Sequence, residues 1–232
     1  MEGRQSVVVG EYLHLIYRIQ GMGRVVKAST LVQRLDSSPS TVHAALRRLE
    51  RDGLVNLNDR KEIELTEEGK ESAAGIAHRH NLAEYFLWHE LKIPWYLVHT
   101  HAHSLDHAIT PLVAARLEKY LGYPKFCPHG SPMPGIEHPH TSLLTLSEVS
   151  TGTKIEVVML DESIEDEEDL LKYLQDSLVM PGQQHMVQER IDVAHTMVLQ
   201  SENGPTNLPY NIAALISVRE IADHDSLSFD PS

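Results

Sequence analysis

The stretch SPSTVHAALRRLERDGLVNLNDRKEIELT, residues 38–66, decides the fold of the first part of the chain. Ser38 before Pro39 places a capping hydroxyl ahead of a proline at the first helical position, where its missing N–H costs nothing. Val42, Leu46 and Leu49 then recur at helical spacing until Gly53 stops the helix. LVNL and EIEL alternate apolar and polar residues on either side of Asn58-Asp59-Arg60-Lys61, which predicts a β-hairpin with a basic tip. Upstream, Val9, Tyr12, Leu13, Ile16 and Ile19 predict a first helix ending near Gln20. Ser29 is expected to cap a short helix from Thr30 to Leu35, followed by a turn at Asp36 and Ser37.

Two short helices across a tight turn, followed by a hairpin, predict a winged helix-turn-helix whose second helix enters the major groove. The two helices alone would suit an ordinary helical corner equally well. The hairpin and the basic residues Arg47, Arg48, Arg51, Arg60 and Lys61 favour double-stranded DNA as partner. Ser38, Ser40, Thr41 and His43, on the first turns of the second helix, are the candidates for contact with bases and phosphates; Arg48, Arg51, Arg60 and Lys61 complete the candidate DNA surface.

A net charge of −13 over 232 residues argues at first against nucleic acid, yet the charge is unevenly spread. Residues 1–66 hold 10 Lys and Arg against 8 Asp and Glu, residues 67–140 hold 6 against 8, and residues 141–232 hold 4 against 17. Three segments follow, with DNA binding assigned to the first. No window approaches eighteen uninterrupted apolar residues and the N-terminus lacks a signal-peptide core, so a cytoplasmic protein with no membrane partner is expected. The single cysteine, Cys127, excludes an internal disulfide and a CxxC site.

Ten of the 15 histidines fall in residues 67–140. Thr66 is expected to cap a long helix running to Pro94, in which His80 and Glu84, four apart, share a face. From Pro94 a second helix would carry His99, His103 and His107 at i, i+4, i+8 beside Asp106, with His101 turned away. A lone helical histidine is usually a packed or surface residue; a stripe of imidazoles beside a carboxylate has little structural motive without a metal ion. Imidazole and carboxylate ligands without thiolate suit Mn2+, Fe2+, Zn2+ or Ni2+. THAHSLDH approaches the HxHxDH motif of zinc hydrolases, but two residues separate its second His from the Asp, and the segment reads as helix. HExxH, GxSxG and Walker patterns are absent, so no enzyme is expected. Thr110-Pro111 opens a third helix, either core or a dimer seam, and CPHGSPMPGIEHPH reads as a proline-rich linker or domain boundary in which Cys127, His129, His138 and His140 are not expected to bind metal.

Beyond the linker, KIEVVML, HMVQERI, AHTMVLQ and AALISV are short strands, with ESIEDEEDLLKYLQDSL leading into an amphipathic helix and Asn203-Gly204 making a turn. Several short strands in so few residues indicate a small barrel. The chain is thus expected to be mainly α with small β parts.

In this order of parts, and in STVHAALRRLERDGLV, LTEEGKESA, HRHNLAEYFL, VHTHAHSLDH and CPHGSPMPG, nearly the whole chain resembles the diphtheria toxin repressor family of iron- and manganese-dependent transcriptional regulators. The resemblance implies a winged helix-turn-helix domain at 1–66, a helical metal-binding and dimerisation domain at 67–140, and at 141–232 an SH3-like barrel related to ferrous-iron transport modules. It implies a homodimer that represses metal-homeostasis genes by binding a palindromic operator when loaded with Mn2+ or Fe2+. One implied metal site comprises Glu11, His103, Asp106 and His107; a second comprises His80, Glu84 and His99, with Glu167 as the nearest third-domain addition. Members of the iron type carry Met and Cys where Glu11 and His103 stand, and the manganese type carries carboxylates at both. Glu11 thus agrees with the manganese pattern and His103 with neither, which leans toward Mn2+ and leaves Zn2+ compatible. The alternative from another class is a metal-buffering or ion-trafficking adaptor acting through the third domain.

Overall fold

A computed structural model describes residues 7–136 and 143–221, which fall into two compact units. The first holds the chain up to Leu91 together with Thr100–Lys125 and the stretch from Pro132. It opens with α1 (Val7–Gly21), the two-residue strand β1 (Val26–Lys27), α2 (Ala28–Arg34), α3 (Pro39–Arg51), β2 (Val55–Leu57) and β3 (Glu62–Leu65). The cap at Ser38 forms as expected, its hydroxyl accepting the Thr41 amide at 3.1 Å. Ser29, in contrast, does not cap α2. That helix starts at Ala28, with Lys27 in the capping place and no side-chain bond. Val26 and Lys27 are committed to antiparallel pairing with Ile63 and Glu62, so the chain turns straight from strand into helix.

β3 is the centre of a sheet of order β1-β3-β2, with Val55 opposite Leu65 and Leu57 opposite Ile63. Leu13 and Ile16 of α1, Leu31 of α2, Leu49 of α3 and Ile63 of the wing are fully buried in one cluster. Burying side chains of this size stabilises by about 1.5–3 kcal/mol each, so the three helices and the wing form one body.

Next come α4 (Glu67–His89), α5 (Val98–Asp106) and α6 (Pro111–Tyr120), with Thr110 capping α6 through the Val113 amide. α4 stops at His89, short of Pro94, and the expected second helix is replaced at its start by a 3-10 turn, Trp95–Leu97. α5 ends at Asp106, which cuts the expected histidine stripe and leaves His107 exposed in the following turn. No described helix is long and apolar enough to cross a membrane.

The second unit gathers Lys92–His99, Phe126–Ser131 and the chain beyond the proline-rich segment. Six antiparallel strands, β4 (Leu144–Thr145), β5 (Lys154–Leu160), β6 (Gln184–Ile191), β7 (Thr196–Ser201), β8 (Gly204–Pro209) and β9 (Ile216–Glu220), form a small SH3-like sheet of order β4-β9-β5-β6-β7-β8. Register shifts at Val157/Met159 and Val187/Glu189 bend it, and β8, which carries Pro205 and Pro209, occupies an edge where a missing N–H is tolerated. α7 (Glu168–Asp176) buries Leu171 and Leu174 on this sheet's core.

Trp95 belongs to that core as well, at 2% exposure, its indole N–H donating to the Pro128 carbonyl at 2.9 Å. The segment read as a linker is therefore in part a packed loop: Cys127, His129 and Ser131 are buried, and the His129 carbonyl accepts the Leu160 amide at 3.0 Å. Gly130 has φ +91°, and a Cβ there would run into the Val158 carbonyl, so only glycine lets the loop lie on β5. The chain enters the second unit at Phe126 and leaves it after Ser131. His138 and His140 lie outside the described residues.

Candidate metal centre and nucleic-acid interface

In the first unit, α4 and α5 bring His80, His103 and Asp106 together, with one ligand atom from each lying within 4.8 Å of the others. His80 is fully buried. Its Nδ1 lies 3.0 Å from Asp106 Oδ2 and its Nε2 lies 3.3 Å from Oε1 of Glu84, which is also fully buried. A neutral imidazole has one N–H, so it can donate to only one of these two carboxylates, and its remaining lone pair then faces an oxygen. Two carboxylates sharing one buried imidazole concentrate negative charge where water cannot screen it. A divalent cation relieves this by taking the lone pairs as ligands, so the donor set fits a metal of the Mn2+, Fe2+ or Zn2+ kind.

His80 keeps its expected neighbour Glu84 at 3.3 Å and also stands beside His103 and Asp106 of the first set; the His80 and His103 ring centroids are 4.8 Å apart. His107, outside the helix, still lies 3.2 Å from Asp106. Glu11 is exposed on α1 and does not join the group. The α1 side chain that reaches it is His14, 4% exposed, whose ring centroid is 5.0 Å from that of His80. His14 is absent from the sequence-based candidates. It follows Glu11 by three positions, on the same side of the helix, and its one signal is to be a titratable residue within the apolar run YLHLIY.

His99 belongs to the second unit, where its Nδ1 lies 3.1 Å from buried Glu165 and its Nε2 3.4 Å from exposed Asp166. The acidic run thus presents Glu165 to His99. Glu167, the residue expected to contribute, is exposed at the start of α7 without a side-chain cap bond. His129 shares this environment, its ring 6.2 Å from that of His99.

The DNA candidates all lie on the first unit. The hydroxyls of Ser38, Ser40 and Thr41 are exposed and linked at 2.8 and 2.9 Å, so Ser38 both caps α3 and orders two neighbouring donors. His43 is exposed one turn along. Arg48 and Arg51 both approach Asp52, at 3.7 and 2.9 Å, which offsets part of their charge. In the wing, Asn58 Oδ1 accepts the amides of Arg60 and Glu62 at 2.9 and 3.0 Å, fixing a tight turn with Lys61 at φ +58°.

A cavity of about 350 Å³ opens between α3, the start of α2 and this turn, lined by Lys27, His43, Arg47, Arg60 and Lys61 among others. Cations gathered around a concave surface attract a phosphate backbone more strongly than the same charges on a flat face. Lys27 and Arg47 enter the surface for this reason. Arg47 sits beside Arg48 in the sequence, and only the fold separates the one lining the cavity from the one turned toward Asp52.

Three family models match in chain order: the N-terminal DNA binding domain of iron dependent repressors over residues 6–63, their metal binding and dimerisation domain over 66–135, and a FeoA domain over 144–220. The iron-dependent repressor IdeR of Mycobacterium tuberculosis is 30% identical over 221 residues, covering 90% of this chain and 96% of that protein. The diphtheria toxin repressor of Corynebacterium diphtheriae is 27% identical over 189 residues, covering 77% of this chain and 83% of that one. A solved manganese-dependent transcriptional repressor in complex with manganese superposes with a TM-score of 0.80 at 28% identity, over 92% of this chain and all of that one. With the DNA-binding, metal-binding and FeoA models matched in order and a relative aligned along nearly its whole length, the chain belongs to the iron-dependent repressor family.

Proposed function

We propose that this protein is a metal-activated transcriptional repressor: loaded with Mn2+ or Fe2+, it binds palindromic operator DNA as a homodimer in the cytoplasm and controls genes of metal-ion homeostasis. The observation that carries the reading is the joining of the two chemistries in one compact unit. The imidazole and carboxylate cluster takes His80 from α4, the helix that continues directly from the wing, and His103 and Asp106 from α5. His14 of α1 and His107 complete the reach of the first site, and Glu84 supplies a further donor beside His80.

Exposed apolar side chains at the end of α4 and along α6, among them Leu91, Leu112, Val113 and Tyr120, supply surface for self-association. The adaptor reading is not favoured, because the DNA-binding model covers residues 6–63 and the basic cavity lies within that stretch. Held by His80, His103 and Asp106, a metal would supply positive charge that neutralises the buried carboxylates. Footprinting of the protein on its own upstream region in the presence of Mn2+ tests the proposal. Protection of two symmetric half-sites about one helical turn apart is expected. An asymmetric footprint, or protection that is the same with chelator present, contradicts it.

A further inference from the structure

The junction between recognition helix and metal-bearing helix is built from one threonine and one glycine. Gly53 ends the α3 turn at φ +74°, with its amide on the Glu50 carbonyl at 3.0 Å. Thirteen residues later, across the wing, Thr66 returns to the same spot. Its hydroxyl donates to the Gly53 carbonyl at 2.7 Å and accepts the Gly69 amide at 3.0 Å, while its own amide donates to the Leu54 carbonyl at 3.1 Å. Gly69, on the first turn of α4, lies flat against Leu54: a Cβ there would collide with the Leu54 carbonyl oxygen and sit 2.9 Å from its carbonyl carbon. A helix N-cap needs only the bond from Thr66 to the Gly69 amide. The bond to Gly53 and the absence of a side chain at Gly69 serve something else: they hold the end of α3 and the start of α4 in backbone contact.

The other contact between α4 and the DNA-binding elements has a different character. Gly10 of α1 faces Ile76 with ordinary van der Waals room, and further along His14 meets His80 ring to ring, inside the metal cluster. The start of α4 is therefore fixed to the recognition helix by hydrogen bonds, and its middle touches α1 beside the metal cluster. His80 lies fourteen residues beyond Thr66, roughly 20 Å along the helix. On a lever of that length a tilt of about 5° at the junction would displace the recognition helix by roughly 2 Å relative to His80, while His80, His103 and Asp106 keep their places on α4 and α5.

We propose that Thr66 and Gly69 are positioning residues that lock the end of α3 to the start of α4, so that a metal held on α4 and α5 sets the recognition helix through this fixed junction. The inference rests on the metal-switched repressor reading above. It predicts that loosening the junction uncouples DNA binding from metal without removing the metal.

The test compares wild type, Thr66→Val, Thr66→Ser and Gly69→Ala in two measurements: Mn2+ affinity of the free protein by calorimetry, and operator affinity with and without saturating Mn2+. Thr66→Val keeps the shape and loses both hydroxyl bonds; Thr66→Ser keeps both. For Thr66→Val and Gly69→Ala, Mn2+ affinity should stay within about threefold of wild type, while the metal-dependent gain in operator affinity falls by about fivefold or more, out of a typical range of 5- to 150-fold. Thr66→Ser should retain the gain. An unchanged gain in Thr66→Val overturns the inference, and so does a parallel loss of Mn2+ affinity, which would mark an ordinary structural role. If Gly69→Ala does not fold, the threonine pair decides. A wild type that shows no metal-dependent gain refutes the switch itself, a result distinct from a wild type that responds and variants that respond equally.

Discussion

Asp106→Asn separates charge from shape at the centre of the metal cluster. Asp106 is 3% exposed, 3.0 Å from His80 and 3.2 Å from His107, and asparagine fills the same volume with one fewer negative charge. A divalent cation about 3 Å from the carboxylate charge centre gains about 3 kcal/mol from it even at the dielectric constant of water, since 332 × 2/(80 × 3) is close to that figure. In a site this dry the gain is larger, so about 3 kcal/mol is a floor, equivalent to roughly a 100-fold loss of metal affinity. Calorimetric titration of the free protein with Mn2+ should show at least that loss, and the Mn2+ concentration giving half-maximal operator binding should rise by a similar factor. Operator affinity without metal should be unchanged, because Asp106 lies outside the basic surface. A midpoint shifted by less than about threefold would refute the reasoning and place the activating metal elsewhere.

Three further outcomes follow from the same geometry. His14→Ala should weaken Mn2+ binding by about 10- to 100-fold, the range for a group ordering a metal ligand, whereas Glu11→Gln, at an exposed position, should change it by less than about threefold; the reverse ranking in calorimetry would restore Glu11 as the α1 ligand. Arg47→Ala and Arg60→Ala should each lower operator affinity uniformly across sequences and reduce the slope of log affinity against log salt by about 1, while Arg51→Ala, paired with Asp52, should reduce it by less; equal slopes for all three would show that the cavity is not where phosphate lies. Burial lowers the pKa of His185, whose Nε2–H donates to the Leu178 carbonyl at 3.0 Å. The unfolded chain then binds a proton more readily than the folded one, so this contribution to the second unit's stability is complete above pH of about 6.5 and is lost as pH falls below it. Thermal melts of wild type between pH 7.5 and 5.5 should fall more steeply than those of His185→Gln, and parallel slopes would remove His185 as a cause.

Local signals carried the sequence reading furthest. Ser38-Pro39, Thr66 and Thr110-Pro111 mark helix starts through bonds to amides three residues away, and all three caps form in the structure. What was not legible depends on pairing between residues far apart in the chain. β1 is two residues long and exists because Val26 meets Ile63, and that pairing in turn displaces the cap expected at Ser29. The assignment of Trp95 and of Cys127–Ser131 to the second unit depends on a surface formed by strands more than twenty residues later, which no periodicity in CPHGSP reports. In the metal cluster, spacing on α4 and α5 found His80, His103 and Asp106, since i, i+3 and i+4 positions share a helix face. His107 falls in the turn after α5, which ends one residue earlier, and His14 carries no signal in the sequence because a single polar residue in an apolar helix has no partner until the tertiary fold supplies His80.

The central claim is that metal and operator bind the same state of the protein, and it is tested most directly by measuring each affinity in the presence and absence of the other, at fixed salt, with Mn2+ and an operator duplex. Saturating Mn2+ should raise operator affinity by about 5- to 150-fold, and saturating operator should raise Mn2+ affinity by the same factor, since a coupling free energy is reciprocal. Operator affinity that is identical with Mn2+ and with chelator would contradict the account.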